Sequence, residues 1–214
     1  MHLRSVDLAF DPEIYESDVA PRPKEPPRRV DFPRLVRLGR ELLVALGEDP
    51  ERDGLKDTPQ RYARWWREFI EHQPGRMDTS FASASSGQLV AVSGMRVWSL
   101  CEHHLLPFWC DVSVGYITGE RVLGLSKFAR IAHKYAHRLQ IQERLVAQIA
   151  EEIGTATGSP DVAVMARGEH LCMSMRGVET PAIMSSSEFR GRFKEHTTRE
   201  EFLSTLRLAG DGRR

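Results

Sequence analysis

Apolar residues recur along this chain first at helical and then at strand spacing. Leu35, Leu38, Leu42 and Leu46 repeat every three or four positions from Phe32 onward, which predicts a helix with one apolar face, closed by Gly47. Thr58-Pro59 predicts a second helix, with threonine as cap and proline at the first helical position. It carries Tyr62, Trp65, Trp66 and Phe69 and stops before Pro74-Gly75. Residues 76–87 have no period and predict a loop. Strand-like runs follow at 88–92 and 95–100, and 108–117 alternates cleanly, which sets Cys110, Val112, Val114 and Tyr116 on one face.

Phe128, Ile131 and Tyr135 mark a third helix. Ile141, Leu145, Ile149 and Ile153 mark a fourth, ended by Gly154 and Gly158. Strands are predicted at 161–166 and 169–176, and Thr198-x-x-Glu201 reads as a capping box opening a short helix with Phe202 and Leu206. Strands mixed with helix pairs, without strict βαβ alternation, indicate an α+β domain with an antiparallel sheet. Six of the twelve prolines fall within the first 33 residues. A segment so composed buries too little apolar surface to offset its ordering entropy, so residues 1–30 are expected to be a mobile tail. Residues 31–75 then form a helical region and 76–214 the main domain.

Composition narrows the partners. The 214 residues allow one large domain or one domain with an appendage. Thirty Lys+Arg balance thirty Asp+Glu, which argues against a broad electrostatic grip on nucleic acid and leaves room for a local basic site. No apolar run reaches the ~18–20 residues of a membrane span, and the first residues lack the apolar core of a signal peptide, so no membrane partner and a cytoplasmic location are expected. Three cysteines, Cys101, Cys110 and Cys172, are too few for a disulfide scaffold and read better as core residues or metal ligands.

The densest polar cluster is Cys101-Glu102-His103-His104, whose Cys-x-x-His spacing lets a thiolate and an imidazole converge on one ion. A strand over 169–176 would project His170, Cys172, Ser174 and Arg176 from one face and Leu171, Met173 and Met175 from the other, a pattern of a site wall rather than of core packing. Cys101, His104 and Cys172 supply three ligands, the number that catalytic zinc keeps. His103 or His170 as a fourth would make the site structural, whereas as free groups they serve proton transfer beside a metal. Cys110 is the poorer candidate because its neighbours place it on an apolar face. Ser126 as a helix cap with Lys127 and Arg130 on the following turn offers either a phosphate cradle or a solvated basic face. Arg61 and Arg64 avoid the aromatic stripe of their helix and are expected to be exposed. Glu143, beside Gln142, is either a surface charge or an acceptor for adjacent donors such as guanine N1–H and its 2-amino group.

Together GEDPERDGLKDTPQR, CEHHLLPF, GLSKFAR, QIQERL and EHLCMSMRGV, followed by GRF and REEFL, resemble GTP cyclohydrolase I across about residues 35–207. The resemblance implies the tunnelling fold, an antiparallel sheet with helices on one side, assembled into rings that stack as a homodecamer with active sites at subunit junctions. It implies zinc on Cys101, His104 and Cys172, water activated there attacking C8 of GTP, His103 protonating N7, and His170 assisting ring opening. After formate leaves, the ribose carbons rearrange and close onto the freed amines to give dihydroneopterin triphosphate, which places the reaction first in folate and pterin biosynthesis. Glu143, with Gln142, is implied as the guanine anchor. Ser126, Lys127, Arg130 and Arg176 are implied as triphosphate and ribose contacts, and Arg61 and Arg64 as cations reaching a neighbouring subunit's triphosphate. The chain departs from the family's common residues at Cys110, Thr118 and Val146, none of them an implied ligand or base.

Overall fold

The computed structural model describes residues 28–77 and 79–211; the expected Pro-rich tail lies almost wholly outside them. Helix α1 (Phe32–Ala45) opens where the Asp31 carboxylate accepts from the Arg34 amide at 3.0 Å. Helix α2 (Thr58–Ile70) is preceded by Asp57 as its cap residue, so Thr58 is already helical. The Asp57 carboxylate does not close the first turn, because Arg61 takes it at 3.0 Å.

Five strands form the main sheet in the order β5-β2-β3-β6-β7: β2 (Leu89–Cys101), β3 (Pro107–Ile117), β5 (Leu139–Gln140), β6 (Val162–His170) and β7 (Met184–Phe189). All pairs are antiparallel except the short β2–β5 contact. The two strands expected at 88–92 and 95–100 are one strand, bent where the register shifts between Val92 and Met95. A separate antiparallel pair joins β1 (Ser80–Ala82), inside the expected loop, to β4 (Arg121–Leu123).

The alternation in β3 becomes a dry face: Cys110, Val112, Val114 and Tyr116 are all fully buried. Val162, Val164 and Ala166 of β6 continue it. Helix α3 (Leu125–Ala136) covers it with Phe128 and Ile131. Helix α4 (Gln142–Thr157) covers it with Leu145, Ile149 and Ile153. Each such side chain contributes ~1.5–3 kcal/mol by leaving water. Helix α4 runs through Gly154 and stops at Gly158, in the left-handed conformation.

The expectation of helices on one side holds for α3 and α4 only. Helix α6 (His196–Asp211) lies on the opposite face, where Phe202 packs with Phe193, Ile117 and Ala163. Gly115 makes this possible, since a Cβ there would stand 2.6 Å from the Phe202 ring. Because α6 begins at His196, Thr198 lies within the helix rather than capping it.

The largest departure is at 169–176. Strand β6 ends at His170, and Leu171–Ser174 form a single helical turn, α5. The last ladder pair is Phe108 with His170. The next position on β3 is Pro107, which has no N–H to extend the ladder. The backbone closes on itself instead, with the Met175 amide donating to the Leu171 carbonyl at 3.0 Å. His170, Cys172, Ser174 and Arg176 therefore do not share one strand face. No helix among the described residues is long and apolar enough to cross a membrane.

Candidate active site

The Cys101–His104 segment is the hairpin between β2 and β3. Cys101 is the last residue of β2; its amide donates to Leu106 O at 2.8 Å, and the Leu105 amide donates to Cys101 O at 2.8 Å. Closing so tight a loop puts Leu105 at φ 55, a left-handed conformation that costs a leucine ~1–2 kcal/mol. Opposite the hairpin, the α5 turn presents Cys172. The ligand atoms of Cys101, His104 and Cys172 all lie within 4.8 Å of one another.

The donor set fits a metal. A sulfur and a nitrogen held by one tetrahedral zinc at ~2.3 and ~2.05 Å lie about 3.6 Å apart. Cys101 Sγ and His104 Nδ1 are 3.7 Å apart. Burial pushes the Cys172 thiol above its ordinary value, and the Cys101 sulfur beside it pushes the same way. A cation between two sulfurs removes both penalties. Among the described residues, neither His103 nor His170 belongs to this mutually close group. His103 Nδ1 still approaches Cys101 Sγ at 3.8 Å, with the His103 and His104 rings nearly perpendicular.

His170 lies flat on Phe108, ring centroids 4.4 Å apart and planes 4° from parallel. Its Nε2 meets Gln142 Oε1 at 3.0 Å. Burial lowers its pKa, opposed by the charge of Glu143, which therefore stands close by. Glu143 itself is exposed on the first turn of α4.

Gln142 sits apart from Glu143. Expected beside Glu143 at a base, it is 1% exposed, and its amide nitrogen faces Ala166 O at 3.0 Å, Ser186 Oγ at 3.0 Å and Met184 O at 3.3 Å. Helical geometry turns neighbouring residues apart, so Glu143 faces out and Gln142 faces in.

The expected cations are dispersed. Exposed Arg176 acts electrostatically on the Cys172 thiol and so lies near the ligand group. On α3 the cap is Gly124, not Ser126, which sits exposed in the first turn. Lys127 Nζ and Arg130 Nη1 both donate to Arg76 O, at 2.9 and 3.1 Å. Arg61 and Arg64 are exposed on α2; Arg61 pairs with Asp57, and Arg64 Nε donates to Gln60 O at 3.4 Å. No hydrogen bond or ion pair of the described residues joins Arg61, Arg64 or the α3 group to the Cys–His–Cys cluster.

Sequence reasoning passed over one feature next to the ligands. Glu102 receives a bidentate pair from Arg144, Nη1 at 2.8 Å and Nη2 at 2.7 Å, which ties the ligand hairpin to the start of α4. The signal was present as an acid inside one motif and a base inside the other.

The fold and these side chains define a protein with a Cys–His–Cys centre at one end of its sheet, flanked by two further histidines. The family described as GTP cyclohydrolase I matches residues 36–207. GTP cyclohydrolase 1 of Hyperthermus butylicus is 47% identical over 173 residues, covering 80% of this chain and 89% of that protein. GTP cyclohydrolase 1 of Sulfurihydrogenibium sp. is 42% identical over 83% of this chain and 96% of its own length. GTP cyclohydrolase 1 1 of Pseudomonas aeruginosa is 44% identical over 81% of this chain and 97% of its own. The chain belongs to the GTP cyclohydrolase I family.

Proposed function

We propose that this protein opens the imidazole ring of GTP at C8, releases formate and rearranges the product to dihydroneopterin triphosphate, the entry to folate and pterin biosynthesis, in the cytoplasm. The observation that carries this reading is the convergence of Cys101, His104 and Cys172 in a chain of this family. These three residues would hold zinc, which when bound supplies the Lewis acidity that brings the pKa of water from about 15.7 towards ~7. His103, beside the ligand group without belonging to it, protonates purine N7 and makes C8 electrophilic. His170 moves a proton during ring opening, within reach of the Glu143 charge. Exposed Glu143 accepts from guanine N1–H and the 2-amino group.

Arg176, Ser126, Lys127 and Arg130 bind the triphosphate and ribose, with Arg61 and Arg64 contributed by a neighbouring subunit. Support for that sharing is the dispersal of these cations over α2 and α3. We read the sheet as the tunnelling fold, joined side by side into rings that stack as a homodecamer. Leu38, Leu42, Val44 and Leu46 of α1 and its following turn are 47–68% exposed, which favours their burial in an assembly.

The test is formate release from GTP by the purified protein, with and without a chelator. Formate accompanied by a triphosphorylated pterin, abolished by chelation and restored by zinc, is the expected result. Formate at the blank rate in the zinc-loaded protein refutes the reading.

A further inference from the structure

The surroundings of Gln142 fix more than its own orientation. An amide nitrogen and oxygen are told apart only by their partners, and here the partners are unambiguous. Ala166 O and Met184 O are backbone carbonyls, which can only accept. The third neighbour, Ser186 Oγ, directs its own hydrogen at the backbone carbonyl of Gln142 at 3.5 Å, leaving lone pairs for the side-chain amide. The nitrogen of Gln142 must therefore face these three groups. Turned over, the amide would set its oxygen against two backbone carbonyls, neither of which can donate to it.

The oxygen of Gln142 thus points the other way, and whatever meets it must donate. One neighbour is Cys110, fully buried, its sulfur 3.3 Å from Oε1. The other is His170 Nε2 at 3.0 Å. Among the described residues, His170 Nδ1 makes no hydrogen bond. Phe108, stacked flat on the imidazole, fixes the plane of the ring in which Nε2 meets Gln142.

Resting on the reaction proposed above, we infer that Gln142 is a positioning residue that holds His170 in the Nε2–H tautomer, so that His170 gives and takes protons through Nδ1. A proton arriving at Nδ1 leaves hydrogens on both nitrogens, with the Nε2–H still donated to Gln142. When Nδ1 releases it, the ring returns to the same tautomer. A proton exchanged through Nε2 would instead break the bond to Gln142 at every turnover.

Two measurements test this. The first is solid-state nitrogen NMR of the zinc-loaded, histidine-15N-labelled protein at about pH 8, with the His170→Gln spectrum identifying the His170 pair by difference. A protonated Nε2 and a bare Nδ1 are expected; a protonated Nδ1 overturns the inference. The second is steady-state kinetics of Gln142→Leu, which removes the acceptor. A histidine partner that fixes the wrong tautomer can cost on the order of 10⁴ in kcat. Here kcat should fall about 10- to 100-fold, with KM for GTP within about threefold of the parent. A raised KM with kcat intact would make Gln142 a substrate contact and overturn the proposal. Should Gln142→Leu not fold, the nitrogen spectrum of the unmodified protein decides alone. If the unmodified protein releases no formate from GTP, the reading of the reaction fails, while the spectrum still decides the tautomer.

Discussion

The Glu102–Arg144 pair lets the rigidity of the Cys101–His104 hairpin be measured. Glu102 sits between Cys101 and His103, and Arg144 follows Glu143, so this one contact joins the ligand loop to the helix carrying the proposed base anchor. Two unit charges ~4 Å apart attract by about 4 kcal/mol at an effective dielectric constant of ~20. Desolvation and ordering of two long side chains take back much of that. Hydrogen bonds to charged groups keep ~1.5–3 kcal/mol when buried, against ~0.2–1 for exposed ion pairs. With Arg144 24% and Glu102 32% exposed, the pair falls between these cases, at roughly 1–2 kcal/mol. The assay is a double-mutant cycle with Glu102→Gln, Arg144→Met and the double variant, read by urea unfolding and by competition for zinc with a chromogenic chelator. Either single change should cost nearly as much as both together. Loss of partners that orient a ligand weakens metal affinity by ~10–100-fold; about tenfold is expected here. A coupling energy below about 0.3 kcal/mol, with unchanged zinc competition, would show the pair to be an ordinary surface contact and refute the reasoning.

Removing His103 with His103→Ala should leave zinc content intact and lower turnover by ~10²–10⁴, as for a lost general acid; loss of zinc would make His103 a ligand. Glu143→Gln should reduce discrimination of GTP against ATP far more than it lowers the melting temperature, and unchanged discrimination would remove Glu143 from the base pocket. His72, His133 and His137 cluster where the end of α2 meets α3, the His72 and His137 rings stacked at 3.8 Å. Burial holds all three below the ordinary histidine value, helped at His72 by the charges of His137 and His133. Their unfolded forms therefore bind protons first, so stability is complete above about pH 6.5 and declines as pH falls towards the folded values. His137→Phe should flatten the fall in melting temperature between about pH 7 and 5, and equal slopes would count against the cluster. At Gly168 a Cβ would lie 1.8 Å from Trp109 O and 2.8 Å from its carbonyl carbon, both backbone. Gly168→Ala should thus cost more than ~4 kcal/mol, about 10 °C in melting temperature; a loss under a few degrees would show that the β3–β6 ladder yields there.

What could be read from the sequence was what depends on local period. The alternation of Cys110, Val112, Val114 and Tyr116 sufficed to find the buried face of β3, because a strand with one dry side leaves its period in the residues. The spacing of Ile141, Leu145, Ile149 and Ile153 located α4 in the same way. Strand β7 left no such mark. Its run of Ser185, Ser186 and Ser187 has no apolar period, and it is a strand because β6 pairs with it along six residues. Gln142 escaped for a related reason. Its neighbours Ala166, Met184 and Ser186 come from two strands distant in sequence, and no spacing within α4 announces them.

The break at His170 shows how a wrongly expected element can still point to residues that come together in space, and why the difference matters. A strand through 176 would send His170 and Cys172 to one side, and both would compete for the same ion. Pro107 ends the ladder opposite that point, and the chain coils into α5, so residues two apart no longer project together. Cys172 joins Cys101 and His104, while His170 stays behind on the last strand position, stacked on Phe108 and bonded to Gln142. The missing N–H of one proline would thereby keep Cys172, a proposed ligand, apart from His170, proposed above to move a proton, as a three-ligand catalytic centre needs. Extending the ladder should reverse it. Pro107→Val restores the donor, and if the separation has this origin, the variant should bind zinc less tightly than the parent while the folded core is retained.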